Sequence, residues 1–394
     1  MPDGTSLLIS RAQVYLPDRI LEDGAILIRN GRIDSIYEAG TVLPQDVHER
    51  IDAEGRILIP GFIDVHVHGG GGVEAMQASP DNTVIDQMCR FHAQHGTTSL
   101  LPTTLTASRE ELLAAIAGIV AAAKRGTSGA EVLGIHLEGP YLNPKRCGAQ
   151  DPSAMQLPEH ERLAEYIAAS EGMLKLITLA PEYGESLSFI PYLVEQGVTV
   201  SIGHSDADAS IVEAAVMAGA THVTHLFNGM SPLHHREPGV AGAALLHDEL
   251  AVELICDGLH LHPKTVELVY RAKPHDRIVL ITDACEAAGC PNGSYMLGNL
   301  PIIVEDGKAV LRDGGSLAGS CLTLDRALAN TIDYTGMPLE KILPGLTINP
   351  ARQIGVAQRK GSIEQGKDAD VVLMNADYSV ARTYVGGVCV YEQA

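Results

Sequence analysis

Six residues of the kinds that bind metal ions or move protons stand at or near the C-terminal ends of short apolar runs. They are His66 and His68 in GFIDVHVH, Glu138 in EVLGIHLEGP, His204 in VTVSIGHS, His225 in HVTHLFN and Asp283 in IVLITDA. His66 and His68 are two apart on an expected strand, so both side chains leave the same face as a two-point metal clip. Glu138, His204 and His225 offer three more donors, and imidazole nitrogen with carboxylate oxygen suits zinc and similar ions that keep one position open for water. Asp283 beside such a site would take a proton from the activated water and pass it to a leaving amine. Taken singly, each residue has a plainer reading: a satisfied core histidine, a glutamate in a surface turn, an aspartate capping the next helix. Their shared placement argues against all the plain readings at once.

Shared placement requires a scaffold that brings strand ends together. Eight apolar runs fall near residues 61–68, 98–104, 132–138, 174–180, 198–204, 222–227, 251–256 and 278–283, with helix-like segments such as 81–95, 109–124, 158–170 and 207–218 between them. Strand alternating with helix over this length predicts a parallel sheet, and eight repeats favour a closed (β/α)8 TIM-like barrel, whose strand ends carry the active site. An open doubly wound sheet would need a G-x-G-x-x-G loop after an early strand, and none is present. The glycine run 69–72 fits a flexible loop at the barrel mouth. Beyond the eighth run, 297–312 predicts an inserted hairpin turning at Asp306-Gly307, followed by helices near 323–335 and 338–345. At the two ends, 25–29 and 32–36 flank Asn30-Gly31, while 369–374 and 382–391 carry a Gly386-Gly387 turn. The expected organisation is α/β: residues 1–59 and 361–394 form a small β-sandwich domain from both termini, and residues 60–360 form the barrel.

Composition narrows the chemistry. The 394 residues are 45% hydrophobic and 20% charged, ordinary for a globular enzyme. Tryptophan is absent, aromatics are 4%, and the formal charge is −21, which together argue against a nucleic-acid or anionic-membrane partner. The opening MPDGTSLLIS lacks the basic and apolar regions of a signal peptide, and seven dispersed cysteines include no C-x-x-C pair. A cytoplasmic protein with reduced thiols is expected.

Eight segments occur in order along the chain: PGFIDVHVHG, HLEGPYLNPKRCGAQDP, SIGHSDA, THLFNGMSPLHHREPGVAG, DGLHLHP, LITDA, GSLAGS and TINPA. Together they resemble the N-acetylglucosamine-6-phosphate deacetylase family of the amidohydrolase superfamily over nearly the whole chain. The resemblance implies a hydrolase acting on a linear amide, which removes acetate from N-acetyl-D-glucosamine 6-phosphate with metal-bound hydroxide as nucleophile. It implies Glu138, His204 and His225 as principal metal ligands, Asp283 as catalytic base and acid, and His66 and His68 as ligands in members that hold a second metal. One or two divalent ions per subunit follow, zinc foremost, with iron and manganese as alternatives.

For the substrate, a small phosphorylated amino sugar, the same resemblance implies Ala149, Gln150, Asn228, Gly229, Arg236, His260, Leu317, Ala318 and Gly319. Arg236 is the natural bidentate partner of a phosphate, and the resemblance implies that it reaches the site of a neighbouring subunit in a homodimer. Gln150 departs from the pattern, because better-known members place a histidine there to polarise the amide carbonyl. The rival readings are a deacetylase of the galacto epimer, another amidohydrolase such as a deaminase or cyclic-amide hydrolase, and a non-catalytic sugar-phosphate-binding barrel. Against the second, Lys175 in LKLITLAP comes too early for a carboxylated bridging lysine. Against the third, every expected ligand position is filled.

Overall fold

The computed structural model describes residues 4–393. Eight strands run Phe62–Val67, Thr97–Thr104, Ile135–Glu138, Leu174–Leu179, Thr199–Ile202, His222–Val223, Ala251–Leu254 and Ile278–Leu280. Each pairs in parallel with the next. The seam between first and last is closed just past the eighth strand, where Asp283 N–H donates to His66 O and His68 N–H to Ala284 O, both at 2.9 Å. All eight apolar runs are therefore barrel strands. The sixth is shorter than its run, because the chain turns out of the sheet at His225, whose φ is 28°.

The helices outside the barrel begin where local chemistry allows. Ser108 caps Arg109–Arg125 in a reciprocal box with Glu111, and Asp208 accepts the Ile211 N–H at the start of Ala209–Ala218. Inside the barrel the middle layer is polar: Thr178 Oγ1 bonds Thr224 Oγ1 at 2.7 Å, Ser201 Oγ bonds the same atom at 2.6 Å, and His136 Nε2 bonds Thr178 Oγ1 at 2.7 Å. These groups satisfy one another beneath the ligand-bearing ends, as buried polar atoms must.

Both termini enter one mixed eight-stranded sheet. The strand Ser6–Tyr15 pairs with Glu49–Asp52 along Leu7–Ser10 and with Ile57–Pro60 along Gln13–Val14. A change of partner within one strand lets the sheet fold over as two layers. Leu7, Ile9, Ile26 and Ile28 then share a core with Val371, Leu373 and Tyr384. Asn30 and Gly31, at φ 51° and 75°, make the first hairpin turn, and Gly386 and Gly387, at 52° and 71°, make the last. Of the residues assigned to this region from sequence, 1–3 and 394 lie outside the described range. The insertion after the eighth barrel strand is a three-stranded meander, Gly293–Leu297, Leu300–Glu305 and Lys308–Leu311, and it turns at Asp306-Gly307 as expected.

One expectation is corrected. The glycine loop is not a flexible mouth: Gly69 and Gly70 are buried and pair with Val73 and Glu74. A Cβ on Gly69 would lie 2.4 Å from Val73 O, and one on Gly70 2.5 Å from the Phe91 ring. Glycine is there for close packing. His92 pins the loop from below, its Nε2–H donating to Gly69 O at 2.9 Å.

A buried ion-pair cluster joins the terminal sheet to the barrel. The Lys360 ammonium, 1% exposed, bonds Asp370, lies 2.6 Å from Glu131 and 3.4 Å from Asp368, and Arg359 clasps Glu131 and Asp368 from outside. Three carboxylates gathered this closely need a cation, and the lysine provides it.

Two expected outcomes follow. Lys360→Met strands the buried Asp370 carboxylate, since Arg359 still pairs with Glu131 and Asp368, and should cost about 3–5 kcal/mol in denaturant unfolding. Burial lowers His92 to a pKa of about 4 from its ordinary 6.5, so the unfolded chain takes up a proton that the folded one refuses. Stability is thus full above pH 6.5 and falls as pH drops toward 4, by about 3 kcal/mol from this residue. His92→Gln, which keeps a donor to Gly69, should remove that component when melting is compared across this range.

Candidate active site

The six predicted site residues meet at the C-terminal mouth of the barrel. Glu138, His204 and His225 form one group whose ligand atoms lie within 4.8 Å of one another, and His66, His68 and Asp283 form a second. Glu138 joins the two. Its Oε1 lies 3.2 Å from the Nε2 atoms of both His204 and His225 and 3.5 Å from that of His66, while its Oε2 lies 3.2 Å from His68 Nε2. Asp283 Oδ1 is 3.2 Å from His68 Nε2 and 3.5 Å from His66 Nε2.

What aims these atoms is local backbone geometry. His204, His225 and Asp283 follow their strands in the left-handed region, at φ 46°, 28° and 50°. Such conformations are costly for residues with a Cβ and persist only where the surroundings enforce them. Here the Asp283 N–H is held by His66 O and its carbonyl by Ser320 N–H, and the His204 carbonyl accepts from Asn143 N–H. The His225 N–H donates to Glu253 at 3.0 Å.

The outward nitrogen of every ring has an acceptor. Nδ1 of His204 donates to Arg146 O at 2.8 Å, that of His225 to Asn228 O at 3.1 Å and that of His68 to Thr103 O at 3.2 Å. Nδ1 of His66 donates to the Glu253 carboxylate at 2.9 Å. Since these partners only accept, the four Nδ1 atoms carry the protons and the four Nε2 lone pairs face inward. His204 and His225 Nε2 are 3.2 Å apart, and His66 and His68 Nε2 are 3.3 Å apart. Lone pairs facing at these distances require a cation or an added proton between them, so the donor set fits a bound metal ion.

Charge in the cluster says the same. Burial disfavours protonated His68, but Asp283 and Glu138 outweigh it and lift its pKa to about 9. His66 is raised too, against its own burial, by Glu253, Glu138 and Asp283. Burial works to raise Glu138, yet the surrounding imidazoles hold it well below the usual carboxylate range. The carboxylates demand positive charge at this spot.

The ligand groups open into a cavity of about 320 Å³. Of the residues predicted for substrate, Ala149, Gln150, Asn228, Gly229, His260, Leu317 and Gly319 line it. Ala318 is buried behind, its N–H on Ala309 O. Arg236 is not in the lining; it is exposed, with Nη1 2.7 Å from His235 Nε2. No lysine or arginine is among the lining residues. Gln150 is engaged at both ends of its amide, accepting from Thr106 N–H at 2.7 Å and donating to Glu138 Oε2 at 2.5 Å. His260 has Nδ1 tied to Asp257 at 2.7 Å, which leaves Nε2 for the cavity.

Sequence reasoning passed over Leu105, Gly148, Leu297 and Ser316, which also line the cavity. It also passed over Asp257 and Glu253. A glutamate inside the apolar run AVELIC was the available signal for Glu253.

A model of the amidohydrolase family matches residues 57–390. N-acetylglucosamine-6-phosphate deacetylase of Bacillus subtilis (strain 168) is 37% identical over 385 residues, 97% of this chain and 96% of that protein. N-acetylgalactosamine-6-phosphate deacetylase of Escherichia coli O157:H7 is 40% identical over 367 residues, 93% of this chain and 94% of its own. Among solved structures, a mutant N-acetyl-D-glucosamine-6-phosphate deacetylase from Mycobacterium smegmatis, in complex with N-acetyl-D-glucosamine-6-phosphate, superposes with a TM-score of 0.91 at 32% identity, covering 98% of this chain and all of that one. Barrel, ligand cluster and similarity along nearly the full length agree: the chain belongs to the amidohydrolase family and, within it, to the N-acetylglucosamine-6-phosphate deacetylases.

Proposed function

We propose that this chain hydrolyses the acetamide of N-acetyl-D-glucosamine 6-phosphate to D-glucosamine 6-phosphate and acetate. The observation that carries the reading is the set of inward-facing imidazole lone pairs around Glu138, with Asp283 beside them at the floor of a sugar-sized cavity. Glu138, His204 and His225 would hold the principal divalent ion, and His66, His68 and Asp283 a second, with zinc the foremost candidate and iron and manganese its alternatives. A bound ion supplies Lewis acidity and makes water acidic enough to deprotonate near neutral pH.

Asp283 accepts the proton of the attacking water as the new C–O bond forms at the acetyl carbon. It then delivers that proton to the sugar nitrogen as the C–N bond breaks. His260 presents Nε2 to the carbonyl oxygen or to a sugar hydroxyl, with Asp257 fixing its ring. Gln150, committed to Glu138 and Thr106, steadies the ligand carboxylate, which leaves His260 as the side-chain donor for the carbonyl. Asn228 and Gly229 offer donors after the sixth strand, and Leu317 and Gly319 border the sugar, with Ala318 buried behind them. Arg236 would meet the phosphate from a neighbouring subunit of a homodimer, a reading supported by a cavity lining without lysine or arginine. The galacto epimer is the second reading, supported by the 40% identity to the Escherichia coli N-acetylgalactosamine-6-phosphate deacetylase.

The same proposal divides the chain into a barrel over 60–360 and a sandwich domain over 1–59 and 361–394. It places the enzyme in the cytoplasm, supported by seven free cysteines. Among the described residues, no helix is long and apolar enough to cross a membrane.

Turnover of both N-acetylhexosamine 6-phosphates, with and without phosphate, tests the reading alongside metal analysis. Asp283→Asn should lower kcat by at least about 10²–10⁴-fold while substrate affinity is retained; near-wild-type turnover would overturn the acid–base role. Arg236→Ala should raise KM for the phosphorylated sugar and leave the unphosphorylated one unchanged. Equal activity on the two sugars in the wild-type enzyme would remove arginine's assignment.

A further inference from the structure

Three of the four inward-facing histidines have their Nδ1 proton fixed by a backbone carbonyl, and His66 alone among them has it fixed by a side chain. That side chain is Glu253, fully buried in the seventh barrel strand. Its carboxylate accepts three hydrogen bonds. Oε2 takes His66 Nδ1–H at 2.9 Å and the His225 N–H at 3.0 Å, and Oε1 takes His222 Nε2–H at 3.1 Å. On the far side, His222 Nδ1 lies 3.4 Å from the side-chain amide of Gln353. Its two oxygens are met by three donors and no acceptor, so the group acts as a carboxylate.

We infer that Glu253 is a positioning residue for the metal centre: by accepting the His66 Nδ1 proton it keeps that ring's Nε2 lone pair on the cluster, and so governs ion uptake by His66, His68 and Asp283. This rests on the metal reading above. Without an acceptor at this position, a buried Nδ1–H would lack a partner, and the ring would favour the opposite tautomer, with its Nε2 proton pointing at Glu138 and Asp283. Ligand histidines are commonly oriented by an outer carboxylate, and losing one costs about 10–100-fold in metal affinity. The second contact of Oε2, to the His225 N–H, helps hold that residue's backbone, while the His225 ring is oriented separately by Asn228 O. The larger effect should therefore fall on the ion held by His66, His68 and Asp283.

The test is zinc content per chain, and zinc retention against graded chelator, in full-length wild-type, Glu253→Leu and Glu253→Gln proteins, with melting temperature recorded for each. Wild type should hold two ions. Glu253→Leu should hold one tightly, the other weakened about 10–100-fold. Glu253→Gln, whose amide oxygen still accepts the Nδ1 proton but without charge, should fall between. Should the leucine variant not fold, Glu253→Gln decides alone, and a second-ion affinity equal to wild type would overturn the inference. Loss of both ions in parallel would also overturn it, by making Glu253 a general structural element. So would a wild-type protein that binds only one ion. A wild-type protein that binds no zinc, iron or manganese would instead overturn the metal reading itself.

Discussion

The chemistry at the barrel mouth depends on four imidazole protons pointing away from it. Each ring has two nitrogens, and a ring contributes a lone pair to the centre only when its other nitrogen is committed to an acceptor outside. Arg146, Asn228 and Thr103 supply backbone carbonyls for this, and Glu253 supplies a carboxylate. Two loop carbonyls, one strand carbonyl and a seventh-strand side chain thus fix which nitrogen of each ring faces the centre. Left-handed backbone at His204, His225 and Asp283 is the accompanying cost, met by hydrogen bonds from neighbouring loops.

Much of this was legible in the sequence, for reasons that can be stated residue by residue. The period of a strand put His66 and His68 on one face. Apolar runs of strand length located all eight barrel strands, and Asn30-Gly31, Asp306-Gly307 and Gly386-Gly387 located three hairpin turns through their tolerance of positive φ. The misreading of Gly69–Gly72 has the opposite cause. Glycine signals either freedom or crowding, and only the positions of Val73 O and the Phe91 ring reveal crowding. Leu105, Leu297 and Ser316 carry no chemical signal of their own; they line the cavity because distant loops converge there.

Gln150 and Glu253 show a subtler limit. A residue type announces what it can bond to, not which partner it finds. Gln150 was expected among the substrate contacts; it does line the cavity, with its amide spanned between Thr106 and Glu138. Glu253 looked like one polar letter in an apolar strand, yet it connects His66, His222 and the backbone of His225. Both are cases where the informative quantity is the complete set of donors and acceptors around an atom.

The seam of the barrel has a consequence for how the protein matures. First and last strands meet through the backbones of His66, His68, Asp283 and Ala284, so the residues that complete the ligand set also complete the cylinder. Segments more than two hundred positions apart must come together before either event can occur, and such distant closures form late. An ion held by these residues would favour the sealed cylinder over an open one, beyond its part in turnover.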